Sequence, residues 1–269
     1  MLIAHFSDLH LARRPKAGEF NPKRLLAWLN HRLFRGFSHR EARAAAAVAE
    51  LAAAAPDLAI FTGDFSQHGL ASEFAAAAEL LSPLTRKKIP ILAVAGNHDF
   101  YAGPFPAGLA GLIRRLARDV RADPDGIVRL SGVEILPLAQ AGPTWPLCSG
   151  GRQDAAELAR AAPAWARASS RAMRLVCGHY PILRDFPGRL FPPRRLRGAG
   201  NLAEFCRRVG AAGYFCGHEH RRFEADIGGG CRQFAAAALS RAGFGGIGIY
   251  RCGPGLARPI EIPPPPRPS

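Results

Sequence analysis

Short apolar runs recur along the chain, and each ends in a small residue followed by polar side chains. The first three runs are LIAHF (2–6), LAIF (58–61) and IPILAVA (89–95), which have the length of buried strands. Alanine- and leucine-rich stretches with helical spacing separate them, at 40–55 and 70–82. This alternation of strand and helix predicts parallel strands joined by crossover helices in the first half of the chain.

The second half of the chain mixes hairpins with helices. GIVRL (126–130) and VEILPLA (133–139) flank a Ser-Gly turn and predict a β-hairpin. Further strands are expected at RLVC (174–177), GYFC (213–216), CRQFAAA (231–237) and GIGIYRC (246–252). Helices are expected over 107–119, 152–169 and 200–211, with Pro163 as a break or a new start in the second of them. The mixture favours an α/β fold of two packed sheets over a single doubly wound sheet.

The composition is compatible with one large domain. The chain has 269 residues, of which 48% are hydrophobic, so it can bury a sizeable core. We expect one domain over residues 1–252, with an insertion at 12–40, and a proline-rich tail at 253–269. No apolar run approaches the roughly 20 residues that span a bilayer. The N-terminus does not resemble a signal peptide, so the expected location is the cytoplasm.

Charge and cysteine content narrow the classes of partner. The formal net charge is +15, which favours phosphate esters, nucleic acid or anionic lipid as partners. An arginine- and alanine-rich composition would produce the same charge without any such partner. The six cysteines form no CxxC pair, which argues against a zinc ribbon and a disulfide scaffold. We interpret them as small buried hydrophobic residues.

The insertion holds a basic amphipathic helix. Asn21 is the expected N-cap, Pro22 takes the first helical position and Gly36 ends the helix. Its apolar side chains are Leu25, Leu26, Trp28, Leu29 and Leu33, and most of the others are lysine or arginine. The helix 21–35 has two interpretations. It is either a cap packed on the domain with a solvated basic face, or a lipid-binding element, which would be an interfacial helix on an anionic membrane or a lid over the site.

Five of the predicted strands end in Asp, Asn or His. The polar tips are SDLH (7–10), TGD (62–64), GNHD (96–99), GHY (178–180) and GHEH (217–220). Because the carboxyl ends of strands in α/β folds face a common crevice, we expect the tips to form one cluster of donors. Its members are Asp8, His10, Asp64, Asn97, His179, His218 and His220. Without a cation this cluster would be costly, since two carboxylates would be desolvated and would repel each other.

Metal ions remove this cost. Carboxylate, amide and imidazole donors without thiolate suit Mn²⁺, Fe or Zn²⁺, and the sequence does not choose among these metals. Seven ligands are too many for one tetrahedral ion and suit two divalent ions, with Asp64 as the bridge. Two metals about 3.5–4 Å apart can clamp a phosphate and activate a bridging water as the nucleophile. The sequence therefore predicts a dinuclear metal centre.

These five blocks, in this order, resemble the motifs of the calcineurin-like metallophosphoesterase family, from the first strand to about residue 222. The resemblance implies a four-layer α-β-β-α sandwich of two mixed sheets flanked by helices. It implies a first metal held by Asp8, His10 and His220, a second held by Asn97, His179 and His218, and Asp64 as the bridge between them.

The resemblance also implies two catalytic residues. His98 would contact a phosphate oxygen and help the leaving group to depart, and Asp99 would orient its imidazole. Many phosphodiesterases of the family carry HHP at the fourth block, whereas this chain has HYP, with Tyr180 in the place of the second histidine. His68 either faces the substrate or sits on its loop. The insertion histidines, His31 and His39, are expected to be solvated.

A second basic segment, RDFPGRLFPPRRLRG (184–198), follows the fourth block. We expect its arginines to rim the site: Arg184, Arg189, Arg194, Arg195 and Arg197, interleaved with Phe186, Leu190 and Phe191. Guanidinium groups bind phosphate bidentately. Together with the insertion, the segment indicates a substrate with several phosphates, or with a phosphate and an apolar part. Arginines that serve only solubility are the alternative.

The leading interpretation is a metal-dependent phosphoric ester hydrolase acting on a phosphodiester or pyrophosphate. A cyclic nucleotide fits the resemblance to small bacterial cyclic-AMP phosphodiesterase-like members. A UDP-sugar or lipid pyrophosphate at a membrane surface, as in the related UDP-diacylglucosamine hydrolases, fits the basic insertion. A nuclease fits the charge, but no nucleic-acid module or stacking series is recognisable, so nucleic acid is not expected as a partner. The competing class is a non-catalytic metal-binding scaffold, which the complete ligand set disfavours. The sequence does not indicate the oligomeric state.

Overall fold

The strands form two large mixed sheets and one small ribbon. The computed structural model describes residues 1–35, 39–104, 106–167, 171–184 and 194–263. Its strands are β1 (Leu2–Phe6), β2 (Leu58–Phe61), β3 (Ile91–Ala93), β4 (Val128–Leu130), β5 (Val133–Pro137), β6 (Gly151–Arg152), β7 (Met173–Cys177), β8 (Leu196–Arg197), β9 (Gly213–Cys216), β10 (Phe223–Gly228), β11 (Cys231–Ala235), β12 (Gly248–Arg251) and β13 (Ile260–Glu261). Its α-helices are α1 (Pro22–Asn30), α2 (Glu41–Ala54), α3 (Ala71–Leu80), α4 (Ser82–Arg86), α5 (Leu109–Leu116), α6 (Ala155–Arg167), α7 (Ala199–Arg208) and α8 (Leu239–Ala242).

Both large sheets have a parallel centre. The first has the order β13-β12-β1-β2-β3 and the second the order β10-β11-β9-β7-β5-β4. Strands β1, β2 and β3 are parallel, as the alternation of strand and helix predicts. Strands β5, β7, β9 and β11 are parallel too, and β4 and β10 are antiparallel edges. The β4–β5 hairpin is the predicted one, and its turn residues Ser131 and Gly132 both have positive φ.

Both faces of each large sheet are buried, which makes the fold a four-layer α-β-β-α sandwich and confirms the predicted class. Alternate side chains divide between the layers. Ile60 and Phe215 point into the core between the two sheets. Phe61 faces the opposite way, toward the core under α2, α3 and α5. Val176 and Tyr214 pack into the core under α6 and α7.

The insertion helix α1 begins where predicted, and its basic side chains pack in the opposite sense from a cap with a solvated basic face, the first of its two interpretations. Asn21 Oδ1 accepts a hydrogen bond from the Arg24 N–H at 2.8 Å. The basic side chains face the protein: the Arg24 guanidinium donates to the His68 and Gly69 carbonyl oxygens at 2.9 and 2.7 Å, and Lys23 is buried. The leucines remain exposed. Carbonyl acceptors at the contact surface therefore decide the orientation, and the expectation of a solvated basic face is wrong for Lys23 and Arg24.

Three further details depart from or extend the expectations. The helix continues beyond α1 as a π-helical turn over His31–Arg35, and its predicted end at Gly36 lies outside the described residues. Pro163 lies inside α6 and does not interrupt it. In the proline-rich segment, β13 pairs antiparallel with β12 and forms the edge of the first sheet.

A buried carboxylate ties the start of the insertion to the loop that follows β2. Glu73, on α3, is fully buried. Its Oε2 accepts from the backbone N–H groups of His68 and Leu70 at 2.9 and 3.1 Å. Its Oε1 accepts from the Arg13 N–H at 2.9 Å and from His68 Nδ1 at 2.7 Å. The His68 imidazole is therefore engaged in this buried network on the loop.

We expect Glu73→Gln to lower the free energy of unfolding by about 2–3 kcal/mol. Hydrogen bonds to a charged acceptor contribute roughly 1.5–3 kcal/mol, and the NH₂ group of the new amide would face N–H groups that need an acceptor. Urea denaturation measures the change. The control is Glu79→Gln, at an exposed position on the same helix, with an expected change within about 0.5 kcal/mol. Equal stability of the two variants would contradict the role of Glu73.

Candidate metal centre

The five polar tips lie together at one end of the two packed sheets. His179 Nδ1, at the tip of β7, lies 2.7 Å from the Thr62 carbonyl oxygen at the tip of β2, which joins the sheets. The Asp8 N–H donates to the Gly63 carbonyl oxygen at 2.9 Å. The predicted site residues Asp8, His10, Asp64, Asn97, His98, Asp99 and His179 are buried, and His218 and His220 are half-buried.

Five predicted ligands have a left-handed backbone. The φ angles are +58° at Asp8, +48° at His10, +60° at Asp64, +70° at His218 and +57° at His220. A β-carbon makes this conformation unfavourable by roughly 1–2 kcal/mol per residue, although aspartate and histidine tolerate it better than most types. Such outliers cluster at functional sites. The chain thus turns sharply after each strand and keeps the ligand side chains at the strand ends.

The first cluster consists of Asp8, His10, Asp64 and His220, whose ligand atoms all lie within 4.8 Å of one another. His220 Nε2 is 3.2 Å and His10 Nε2 is 3.4 Å from Asp8 Oδ1. The two imidazole nitrogens are 2.8 Å apart. Asp8 Oδ1 is buried and accepts no hydrogen bond from the described residues. A cation among these atoms would satisfy this oxygen and both nitrogens at once.

The second cluster consists of Asn97, His179 and His218, together with Asp64. Asn97 Oδ1 is 3.2 Å from His179 Nε2 and 3.0 Å from His218 Nδ1. His179 Nε2 is 3.5 Å from Asp64 Oδ2. The same oxygen is 3.6 Å from His10 Nε2 of the first cluster. Asp64 Oδ2 therefore belongs to both clusters.

The charges in the clusters favour bound cations. Burial alone would raise the pKa of Asp8, but His220 and His10 hold it well below its usual range. Burial would lower the pKa of His179, yet the Asp64 carboxylate raises it to about 9. The ionised carboxylates thus draw a positive charge onto an imidazole. Divalent cations supply that charge and leave the imidazole nitrogens available as ligands, so the donor set fits two metal ions.

His98 lies beside the shared carboxylate. Its backbone N–H donates to Asp64 Oδ1 at 2.8 Å, which leaves Oδ2 for the two clusters. Its Nδ1 lies 2.9 Å from the Gln67 carbonyl oxygen. The backbone of one loop and the carbonyl of another therefore fix this residue against the site.

The Asp99 carboxylate was expected to orient the His98 imidazole, but it accepts hydrogen bonds from Ser66 and Gly96 instead. Its Oδ1 accepts from the Ser66 N–H and hydroxyl at 3.0 and 2.8 Å, and its Oδ2 accepts from the Gly96 N–H at 2.9 Å. The Gln67 carbonyl oxygen faces His98 Nδ1 in the place expected for Asp99. The cause is a 3₁₀ turn over His98–Phe100, which points consecutive side chains in different directions. Asp99 instead joins the loops after β2 and β3.

A cavity of about 680 Å³ opens above the clusters, with Asp64, Asn97 and His98 on its floor. One wall is α1 and the turn after it, which contribute Leu26, Leu29 and Leu33. Leu147 contributes a further apolar surface. A phosphate at the clusters would therefore lie close to aliphatic side chains.

Arginines also line the cavity, at Arg184, Arg194, Arg221 and Arg241. The first two belong to the segment that the sequence predicted, whereas Arg221 and Arg241 were not predicted. Arg195 and Arg197 are exposed and do not line the cavity. The predicted Arg189, Phe186, Leu190 and Phe191 lie outside the described residues.

Two residues near the clusters were not assigned to the site by the sequence. His39, expected to be solvated, is half-buried, with its ring centroid 4.9 Å from that of His10 and 5.5 Å from that of His220. Its Nδ1 lies 2.7 Å from Ser240 Oγ, and burial lowers its pKa to about 2. Tyr101 lines the cavity beside His98. Its spacing of three residues from His98 was the only signal in the sequence.

Glycines before the tips make room for the ligands. A β-carbon at Gly96 would overlap the Asp64 carboxylate. A β-carbon at Gly217 would overlap the Ser7 hydroxyl and crowd Asp8 Oδ2. Gly96 therefore makes room for a ligand on the adjacent strand of its own sheet, and Gly217 makes room for Ser7 and a ligand on a strand of the other sheet.

Comparisons with known proteins identify the family from the sequence and the fold from solved structures. A family model described as calcineurin-like phosphoesterase matches residues 1–222. A dimetal phosphatase from Danio rerio is similar in structure, with a TM-score of 0.65, 11% identity and coverage of 98% of this chain and 99% of that one. A purple acid phosphatase from yellow lupin (Lupinus luteus) seeds has a TM-score of 0.54 and 11% identity, over 99% of this chain and 46% of that one. At these identities the structural likeness is one of fold. No curated protein matches the chain significantly.

We expect Gly96→Ala to weaken metal binding by about 10–100-fold, the loss typical of disturbing groups that orient ligands, because the new methyl displaces the Asp64 carboxylate. Metal content after equilibration with graded free Mn²⁺ measures the change. The control is Gly111→Ala, on α5 with open space around it, which should bind metal normally and be more stable by roughly 0.5–1 kcal/mol. Equal metal affinity in both variants would contradict the packing of Gly96 on Asp64.

Proposed function

We propose that this chain, which belongs to the calcineurin-like phosphoesterase family, hydrolyses a phosphodiester or pyrophosphate bond at a dinuclear metal centre. Membership of the family makes it a metal-dependent phosphoric ester hydrolase. One observation supports the dinuclear centre in particular. Asp64 Oδ2 lies 3.6 Å from His10 Nε2 and 3.5 Å from His179 Nε2. One carboxylate oxygen is shared by two sets of donors, which supports two ions over a single tetrahedral one.

The proposed ligands follow the two clusters. Asp8, His10 and His220 would hold the first ion, Asn97, His179 and His218 would hold the second, and Asp64 would serve both. Mn, Fe and Zn all suit these donors. When bound, the ions neutralise phosphate charge and supply an activated water as the nucleophile.

We assign to His98 the protonation of the leaving oxygen. Its Nδ1 faces the Gln67 carbonyl oxygen, so we assign the contact with substrate to Nε2, which faces the Tyr101 hydroxyl at 3.3 Å. As the P–O bond breaks, the leaving oxygen takes a proton from Nε2, a contribution of typically 10²–10⁴-fold. Asp99 supports this geometry indirectly, because it holds the loops around His98 together.

The cavity supports a substrate larger than a simple monoester. Its arginines can bind phosphate oxygens beyond the one at the metals. A cyclic nucleotide and a nucleotide-sugar or lipid pyrophosphate both satisfy this requirement. The leucine wall formed by Leu26, Leu29, Leu33 and Leu147 favours the pyrophosphate with an apolar part, since a cyclic nucleotide has no aliphatic group to place there.

A second proposal concerns association with an anionic membrane through α1. No helix among the described residues is long and apolar enough to cross a bilayer. Yet Leu33 is 61% exposed at the end of the insertion helix, and Trp145 and Leu147 are 82% and 83% exposed on the loop beside it. Lys23 Nζ ties that loop to α1 through the Thr144 and Cys148 carbonyl oxygens. An apolar patch among basic residues at the cavity mouth is typical of a surface that lies on anionic lipid.

We expect metal-stripped protein to lose turnover of bis-p-nitrophenyl phosphate and to regain it when Mn²⁺ is restored. In Asp64→Asn, kcat/KM should fall by at least about 100-fold, because both clusters lose their shared anionic oxygen. Asp119→Asn, at an exposed position after α5, should behave as the parent. Full turnover by Asp64→Asn, or by protein shown to be free of metal, would contradict the dinuclear proposal.

We expect the protein to co-sediment with vesicles rich in phosphatidylglycerol and not with pure phosphatidylcholine. Replacing Leu33 and Leu147 together by Ser should weaken the partition by at least about tenfold, since each leucine contributes roughly 1.5–3 kcal/mol when fully buried. Ile260→Ser, at a similarly apolar exposed position on β13, is the control. Parental protein that ignores anionic vesicles would refute the membrane proposal and leave the hydrolase proposal intact.

A further inference from the structure

Tyr101 joins the insertion to the site. The side chain of Asn21, the N-cap of α1, donates from Nδ2 to the Tyr101 carbonyl oxygen at 2.9 Å. The Lys23 ammonium lies 4.6 Å from the centroid of the Tyr101 ring. The first turn of the insertion helix therefore holds both the backbone and the ring of this tyrosine.

Tyr101 in turn contacts His98. The two rings are stacked, with centroids 4.5 Å apart and planes 27° apart. The Tyr101 hydroxyl lies 3.3 Å from His98 Nε2. The spacing explains the contact, because side chains three residues apart eclipse each other across a 3₁₀ turn.

Hydrogen bonding sets the roles of the two imidazole nitrogens of His98. Nδ1 faces the Gln67 carbonyl oxygen at 2.9 Å, and a carbonyl only accepts, so Nδ1 carries a proton. Nε2 is left to face the Tyr101 hydroxyl. A phenol both donates and accepts, so the contact persists whether the ring is neutral, when the hydroxyl donates to Nε2, or protonated, when the Nε2–H donates to the hydroxyl.

We propose that Tyr101 is a positioning residue for His98, and that the insertion acts on the chemistry through it. The proposal rests on the proposed function, in which His98 assists the leaving group. The stacked ring fixes the plane of the His98 imidazole, and the Tyr101 hydroxyl accepts the Nε2–H until the leaving oxygen replaces it as the acceptor. As the P–O bond breaks, its electron pair stays on that oxygen, and the Nε2 proton of the protonated imidazole moves to it. A misdirected imidazole would rarely meet the oxygen in this geometry.

Two substrates that differ in the leaving group test the proposal. Diphenyl phosphate releases a poor leaving group that needs the proton, whereas bis-p-nitrophenyl phosphate releases a good one that needs it less. Tyr101→Phe keeps the stacked ring and removes the hydroxyl. We expect it to lower kcat on diphenyl phosphate by roughly 3- to 10-fold, the worth of one hydrogen bond, and to lower kcat on the nitrophenyl ester by a smaller factor.

Further variants separate the hydroxyl from the ring. Tyr101→Leu removes both contacts and should slow diphenyl phosphate more than Tyr101→Phe does. Tyr250→Phe removes a hydroxyl in the core between the sheets, away from the cavity, and should keep both rates. Bound metal should be the same in all of these proteins, so that a change in leaving-group dependence reports on His98 alone.

A spectroscopic readout is independent of turnover. In ¹⁵N spectra of the imidazoles of the metal-free protein, the Nε2 signal of His98, identified by its loss in His98→Gln, should move in Tyr101→Phe and stay in Tyr250→Phe. An unmoved signal, with equal rate factors on the two substrates, would overturn the positioning role and leave the hydrolase in place. Parental protein without metal-dependent turnover of either diester or of a nucleotide-sugar pyrophosphate would overturn the proposed function, and the role of Tyr101 with it.

Discussion

The Asp64 carboxylate is the group on which the geometry of the site depends. Its Oδ1 accepts a hydrogen bond from the His98 N–H, which fixes the orientation of the carboxylate. Its Oδ2 therefore points between His10 and His179. These two imidazoles belong to different sheets. The carboxylate can serve both only if the core between the sheets keeps their separation, for example where His5 of β1 meets Phe215 of β9 with ring centroids 4.9 Å apart. Packing far from any substrate is thereby part of the metal geometry.

The insertion shows how polar contacts can decide the orientation of an amphipathic helix. Lys23 and Arg24 are drawn toward backbone carbonyl oxygens on neighbouring loops, which are strong acceptors near the surface. The leucines are left to face the cavity and the solvent. The helix therefore contributes apolar surface where the substrate enters, while Lys23 and Arg24 act as structural anchors. The arginines that line the cavity come from other segments.

The sequence was informative wherever the signal was local. Apolar runs closed by glycine, serine or threonine located the strands that carry the site, and their polar tips identified the residues from Asp8 to His220 that the structure brings together. The sequence could not show in which direction a side chain points, or which residues far apart in the chain come into contact. Asp99 turns away from His98 because of one 3₁₀ turn, and His39 approaches His10 because α2 begins beside α8, with the Arg40 N–H donating to the Ser240 carbonyl. Neither event leaves a periodic pattern. The short ribbon strands β6 and β8 were missed for the same reason, since two residues carry no alternation.

The left-handed backbone at five ligand positions has a consequence for the protein in the cell. Each such residue costs roughly 1–2 kcal/mol, and the total is a substantial part of the 5–15 kcal/mol that typically separates folded from unfolded chains. Ions that bind only the native state offset this cost by mass action. A chain made during metal scarcity would unfold more often and be degraded sooner. Its abundance would then follow the metal supply, without any dedicated regulator.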